Sequence, residues 1–163
     1  MTERIYLDTQ YQPSLEDFKK HLRLTSDDLD DALQMYLLAA VNAAEHHIGK
    51  VIALSDFSYT GPLVSLPCRT PLREVAEVKV DGAEVGYDVR DGVLTLAEGV
   101  SGDVMTVRYT SGMNQVPFDI KAAIMLMAAK LFNNPVDSVE TLPSQAKNLL
   151  RPYRSYGMRD NGE

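Results

Sequence analysis

Asp27-Asp28-x-Asp30-Asp31 is the densest run of ionisable side chains in the chain. Three carboxylates from such a run supply the hard oxygen donors that a divalent cation takes. The run lacks the glycine and the distal glutamate of a calcium loop, however. It also stands where a helix begins, so its carboxylates are read as partners of the free N–H groups of a first turn. His46 and His47 are adjacent, which turns their rings about 100° apart on a helix and denies them the i, i+4 spacing that chelates one ion. Favourable placement near a helix C-terminus accounts for both, and His21 has no glutamate at catalytic spacing beside it. Cys68 lies between Pro67 and Arg69. A cationic neighbour lowers a thiol pKa, but a nucleophile also wants a base, and none is local. Cys68 therefore reads as a small buried hydrophobe. The glycines mark turns and form neither a phosphate loop nor a dinucleotide fingerprint. No catalytic, cofactor-binding or metal-binding residue is assigned, and an enzyme is not indicated.

Positive charge is sparse. Lys19, Lys20 and Arg23 precede the acidic run, and Arg151, Arg154 and Arg159 lie near the end, interleaved with Tyr153 and Tyr156. The second group suits a phosphate backbone or a neighbouring protein; long cationic stems lying over apolar surface explain it equally well. The chain has 163 residues and a formal net charge of -7, which argues against a protein that grips DNA or an anionic membrane. A protein that surrounds DNA and lets it slide is compatible with that balance. With 45% hydrophobic and 24% charged residues, the composition is that of an ordinary soluble protein. A single cysteine leaves no disulfide framework. The opening MTERIYLDTQYQPS has no apolar h-region, so a secretory signal is not expected, and a reducing cytoplasm is the expected place of synthesis.

These residues have to be positioned by the elements around them, and the organising one is PFDIKAAIMLMAAKLFNN, residues 117–134. Ile120, Ala123, Ile124, Met127 and Leu131 recur at helical spacing, and Ala122, Met125, Leu126, Ala128 and Ala129 fill most of the remaining circumference. A helix apolar on nearly every side is buried against several partners, within its own domain or in a neighbouring subunit. It is too short to span a bilayer, which takes roughly 20 apolar residues, and no membrane partner is expected. Pro117 is placed at N1, and Asn133-Asn134-Pro135 ends the helix.

Toward the N-terminus, Ser14 and Asp17 form a capping-box arrangement for a helix over about 14–23, with Leu15, Phe18 and Leu22 on its apolar face. Thr25 and Asp28 offer a second cap. The spacing of Leu29, Leu33, Tyr36, Leu37, Ala40, Ala44 and Ile48 predicts a long helix over about 27–48, with Gly49 at C′. Leu38 and Val41 widen its apolar face, so this helix has surface for two partners. The period then becomes alternating, with a strand block over about 57–110. Val78–Val80 and Ala83–Val85 flank Asp81-Gly82, and Tyr87–Arg90 and Val93–Leu96 flank Asp91-Gly92, both type I′ hairpin signals. The second hairpin sets Val89 across from Leu94 and Tyr87 across from Leu96. Val104–Tyr109 is the last strand, and Pro143 at N1 opens a helix over about 143–151. Between them lies an acidic loop, residues 135–142. The expected fold is α+β: one domain over 1–163, with a small antiparallel sheet inserted between two helix pairs that pack together.

The four blocks SLEDFKKHLRLTSDDLDDALQMYLLAAVNAAEHHIGK, LPCRTPLREVAEVKVDG, VMTVRYTSGMNQVPFDIKAAIMLMAAKLFNN and LPSQAKNLLRPYR together resemble the gp6-like phage head-tail connector family. The resemblance runs through nearly the whole chain and rests on the order and spacing of the blocks, since no catalytic signature defines the family. It implies a structural, non-enzymatic subunit without cofactor, encoded by a phage or prophage, present in the host cytoplasm during assembly and then at the head–tail junction of the virion. Its implied partners are copies of itself in a ring, the portal protein on one side and a stopper or tail-completion protein on the other. Double-stranded DNA passes through without specific binding. The faces of 29–48 and 117–133 resemble the core and subunit-packing elements; the loop around Gly61, the segment 135–142 and the tail from Arg151 resemble the parts that meet portal, tail or neighbour. Candidate interface residues are Leu38, Val41, Met125, Met127, Arg151, Tyr153 and Arg154. Two other readings belong to different classes. One is a small non-enzymatic adaptor or morphogenesis factor acting as monomer or dimer; the other is a metal-dependent hydrolase using Asp27–Asp31.

Overall fold

The structure, a computed structural model, describes residues 2–6, 13–134 and 142–155. Residues 135–141 of the acidic loop 135–142, with Tyr156 and Arg159, lie outside the described residues. The fold is α+β, and the chain forms two compact units, each built from two stretches: 1–9 with 51–114, and 10–50 with 115–163.

The first unit is all strand. β1 (Thr2–Tyr6), β2 (Ser55–Gly61), β8 (Met105–Ser111), β4 (Leu72–Val80) and β5 (Ala83–Glu84) form a five-stranded sheet in the order β1-β2-β8-β4-β5. β3 (Leu66–Pro67), β7 (Val93–Leu96) and β6 (Tyr87–Arg90) form a second sheet in the order β3-β7-β6. Every pairing is antiparallel. Both Asp-Gly turns have the expected conformation: φ is 50° and 86° at Asp81 and Gly82, and 51° and 79° at Asp91 and Gly92. Two successive positive φ values define the type I′ turn, whose twist matches that of the flanking strands. The pairs Val89↔Leu94 and Tyr87↔Leu96 form as the turn dictates. Asp81 also ties its turn to the entry of β8, its carboxylate accepting the Val104 N–H at 2.9 Å. The inward residues of both sheets, among them Phe57, Leu66, Cys68, Val78, Leu94, Met105, Val107 and Tyr109, make one apolar cluster. Phe57 and Tyr109 stack with ring centroids 5.4 Å apart.

The second unit is helical: α1 (Leu15–Leu22), α2 (Asp30–Ile48), α3 (Phe118–Asn133), α4 (Ser144–Leu150) and a 3-10 turn over Arg151–Tyr153. Ser14 caps α1, its hydroxyl accepting the Asp17 N–H at 3.0 Å. α2 ends at Gly49, whose φ of 71° and N–H to the Glu45 carbonyl make the left-handed C-cap. Its start differs from the expected cap: Leu29 is the N-cap, with no side-chain bond. Residues 27–30 first make a turn, the Asp30 N–H donating to the Asp27 carbonyl at 3.2 Å. Pro117 and Pro143 each stand one residue earlier than N1, as N-caps with extended ψ. Phe18, Leu33, Leu37, Ala40, Ala44, Ile48, Ile120, Ala123, Ile124, Ala128, Ala146 and Leu150 are buried in this unit. α2 and α3 pack antiparallel: Tyr36 in the first half of α2 meets Phe132 near the end of α3, edge to face, with centroids 6.4 Å apart, while Ser155 and Tyr153 of one short segment bond to Ile48 at the end of α2 and to Asp119 at the start of α3. Alanines at the contact let two helices approach closely, which is why so apolar a pair fits in so small a unit.

Candidate functional site

Within the acidic run, Asp27 and Asp30 are occupied in structural work. The Lys19 ammonium pairs with both Asp27 and Asp30, at 2.7 Å to the latter. A hydrogen bond and the charge of Lys19 hold the Asp27 carboxyl below its usual range, and Asp27 and Asp30 raise Lys19 in return. A cation already sits where a metal would have to sit. Among the described residues, no group of three or more His, Cys, Asp or Glu side chains is placed to hold a metal ion.

His46 is exposed and His47 half-buried in the last turn of α2. Burial, then the charges of Arg154 and Lys147, push the His47 pKa down, so it stays neutral near pH 7. Cys68 is 7% exposed, and burial raises its thiol pKa, opposite to what a nucleophile requires. Its N–H donates to the Gly92 carbonyl at 2.8 Å, which fixes it beside the second Asp-Gly turn.

The candidate interface residues divide by exposure. Val41 is fully buried and Met127 only 3% exposed, so both spend their side chains in the core of the helical unit. Leu38 and Met125 are half-buried and keep part of their surface for a partner, while Arg151 and Arg154 are exposed. Tyr153 is half-buried, its hydroxyl donating to the Asp119 carboxylate at 3.3 Å. Burial and the Asp119 charge raise the Tyr153 phenol, so it remains a neutral donor. The 3-10 turn is thereby fastened to the first turn of α3, which brings Arg151 and Tyr153 near the Phe118 end of that helix.

Three large apolar side chains are presented outward by the helical unit: Met35, 60% exposed, and Phe118, 87%, which sequence reasoning did not select, and Leu29, 45%, which was expected on the apolar face of the long helix and instead stands outward as the N-cap of α2. The helical wheel carries the signal for two of them. Met35 lies about 200° from Leu33, and Phe118 about 160° from Ile120, opposite the buried stripe in each case. No helix among the described residues is long and apolar enough to cross a membrane.

The profile of the phage gp6-like head-tail connector protein family matches residues 12–154 of the chain. The fold is similar to that of a chain from the neck of an empty gene transfer agent particle computed with C6 symmetry, with a TM-score of 0.72, 21% identity and 95% of each chain covered. It is likewise similar to a chain from the neck of the native particle computed with C12 symmetry, with a TM-score of 0.69, 21% identity and the same coverage. A chain of the native gene transfer agent virion gives a TM-score of 0.69 at 24% identity, again over 95% of each. Among curated proteins none matches.

Proposed function

Because the chain belongs to the phage gp6-like head-tail connector family, a family of structural connectors rather than catalysts, we propose that it is one subunit of a ring at the head–tail junction of a phage or prophage particle. The observation that carries this reading is the family match over residues 12–154. The portal protein meets one face of the ring and a stopper or tail-completion protein the other. The net charge of -7 suits a wall that repels DNA and lets it pass without holding it. The likeness to chains of neck particles computed with C6 and C12 symmetry supports a cyclic arrangement. Subunit contacts draw on Leu38 and Met125 from the helix faces and on Arg151, Tyr153 and Arg154 from the end of the chain. Val41 and Met127 support those faces from beneath.

The test is the absolute mass of the purified protein, alone and with its cognate portal, by light scattering across a concentration series with negative-stain images. Ring-sized species, or rings formed on the portal, are expected. A chain that neither builds a higher assembly nor binds the portal would be the adaptor instead.

A further inference from the structure

The two ends of the helical unit differ in charge and carry the largest outward apolar side chains. Since α2 and α3 are antiparallel, one end holds the start of α2 and the other holds its finish with the start of α3. At that second end the Ser155 N–H donates to the Ile48 carbonyl at 2.8 Å, which seats the 3-10 turn there too. The 19 residues of α2 separate the ends by about 28 Å at 1.5 Å per residue.

At the first end, two cations of α1 are taken internally, Lys19 by Asp27 and Asp30 and Lys20 by Glu16 at 2.7 Å, while Arg23 at its C-cap is exposed. Asp28 and Asp31 stay exposed. Asp31 and Met35 share a helix face at i, i+4, and Leu29 lies between the two aspartates in sequence. This end thus presents Leu29 and Met35 as outward apolar side chains among exposed carboxylates. At the second end, Phe118 stands almost fully outside with the Lys121 ammonium 6.0 Å from its ring centroid. The Tyr153–Asp119 bond seats at this end the 3-10 turn that carries Arg151, and Arg154 and Lys147 bear on His47 at the finish of α2. Phe118 thus stands among basic side chains, with Asp119 bonded to Tyr153 and Glu45, in the last turn of α2, buried.

One exposed apolar side chain needs no explanation. Two complementary ends of one compact unit are another matter, because an aromatic anchor within a charged rim is the usual make-up of a protein contact. Contacts between unlike patches are heterologous and close into rings when the rotation allows. The geometry points to a head-to-tail contact between copies of this chain. In it, Phe118 of one copy packs against Leu29 and Met35 of the next, and Lys147 and Arg151 face Asp28 and Asp31. This inference rests on the ring reading above and names its contact.

Two full-length charge reversals test it, Asp28→Lys with Asp31→Lys, and Lys147→Glu with Arg151→Glu. Association is measured by light scattering at low and high salt. The wild-type chain is expected to associate at low salt and to weaken as salt screens the rims. Each reversed variant alone should associate at least about tenfold more weakly. Mixed one to one, the two should recover wild-type association with both chains in equal amounts, since every junction then joins opposite charges. Phe118→Ser, which leaves the rims intact, should weaken association at all salt concentrations alike. All the substituted residues are exposed, so far-UV spectra should match the wild type. Variants that associate as tightly as wild type, a mixture that fails to recover, or a wild-type chain that stays monomeric at low salt would each overturn this contact. The connector reading is judged separately: it stands if the wild-type chain joins the portal, and falls if it never does.

Discussion

In the sheet unit, position is set by turns and ladders. The Asp81-Gly82 and Asp91-Gly92 turns fix which residues of β4 and β5 and of β6 and β7 face each other, and Leu94 is carried inward as a consequence. In the helical unit, position is set by side-chain shape. Leu33, Leu37, Ala40, Ala44 and Ile48 on α2 and Ile120, Ala123, Ile124, Met127 and Ala128 on α3 are buried, and no turn dictates how they mesh. A ladder has a discrete register, which a single turn can specify. A helix pair has only ridges and grooves, so its geometry depends on every buried volume. The first unit should therefore be most sensitive at its turns and the second at its core.

Met127→Asp probes that contrast most severely. Met127 is 3% exposed in the middle of α3, and an uncompensated buried charge costs about 3–5 kcal/mol. That is a large share of the roughly 5–15 kcal/mol by which a domain is stable. Loss of helical circular dichroism, or a collapse of the thermal midpoint, is expected. A soluble variant with the wild-type melting curve and intact assembly would show that α3 is not held by its buried face.

Much of this contrast is legible in the sequence, and for the same physical reasons. Short-range rules worked: Ser14 caps α1 by accepting the Asp17 N–H, Gly49 ends α2, and the two Asp-Gly turns give the pairings of β4 with β5 and of β6 with β7. Long-range pairing was harder to see. β1 pairs with β2, Thr2 against Tyr59 and Tyr6 against Ser55, and nothing within TERIY announces a partner so far along the chain. The strand block was expected as one sheet, but β3, β6 and β7 form their own. β4 extends back to Leu72, hidden by register shifts between Leu72 and Glu74 and between Val75 and Glu77 that break the alternation. The interface candidates show the same limit. Apolar residues around most of α3 said that it is buried, but not which of Met125 and Met127 keeps surface. Only the packing of α2 on α3 decides that.

The matching intervention in the sheet unit is a smaller one. Gly92→Ala forces a Cβ onto a residue at φ 79°, 3.4 Å from the Thr70 Cγ2. Gly82→Ala meets the same backbone strain at φ 86°, with nothing within 4 Å of the new atom. The left-handed conformation costs a non-glycine residue about 1–2 kcal/mol. Gly82→Ala should lose about that much in chemical denaturation, and Gly92→Ala the same or somewhat more. If both were neutral, the turns would not be what holds the register. If Gly92→Ala alone were costly, side-chain crowding at Thr70 would outweigh backbone conformation.

Cys68→Ser should have the smallest effect and sharpens the comparison from the other side. Cys68 is buried in the sheet cluster with its Sγ 3.8 Å from the Leu66 carbonyl, so a hydroxyl there keeps an acceptor. The cost is that of a modest polarity change, within about 1 kcal/mol, and assembly should stay nearly intact. The pH dependence is the more informative readout. Burial raises the folded thiol above its ordinary value of about 8.5. The unfolded chain therefore ionises first, and stability present below that value is lost as pH climbs toward the folded pKa. Cys68→Ser removes this part of the alkaline loss, so the wild-type and variant denaturation curves should converge as pH rises above 8.5. Tyr109, whose phenol is also raised by burial, leaves a further loss common to both. Curves that stay parallel through the alkaline range would mean that the thiol is not buried in the folded sheet unit. Rapid alkylation of native Cys68 at neutral pH would say the same, because a buried thiol with a raised pKa presents almost no thiolate.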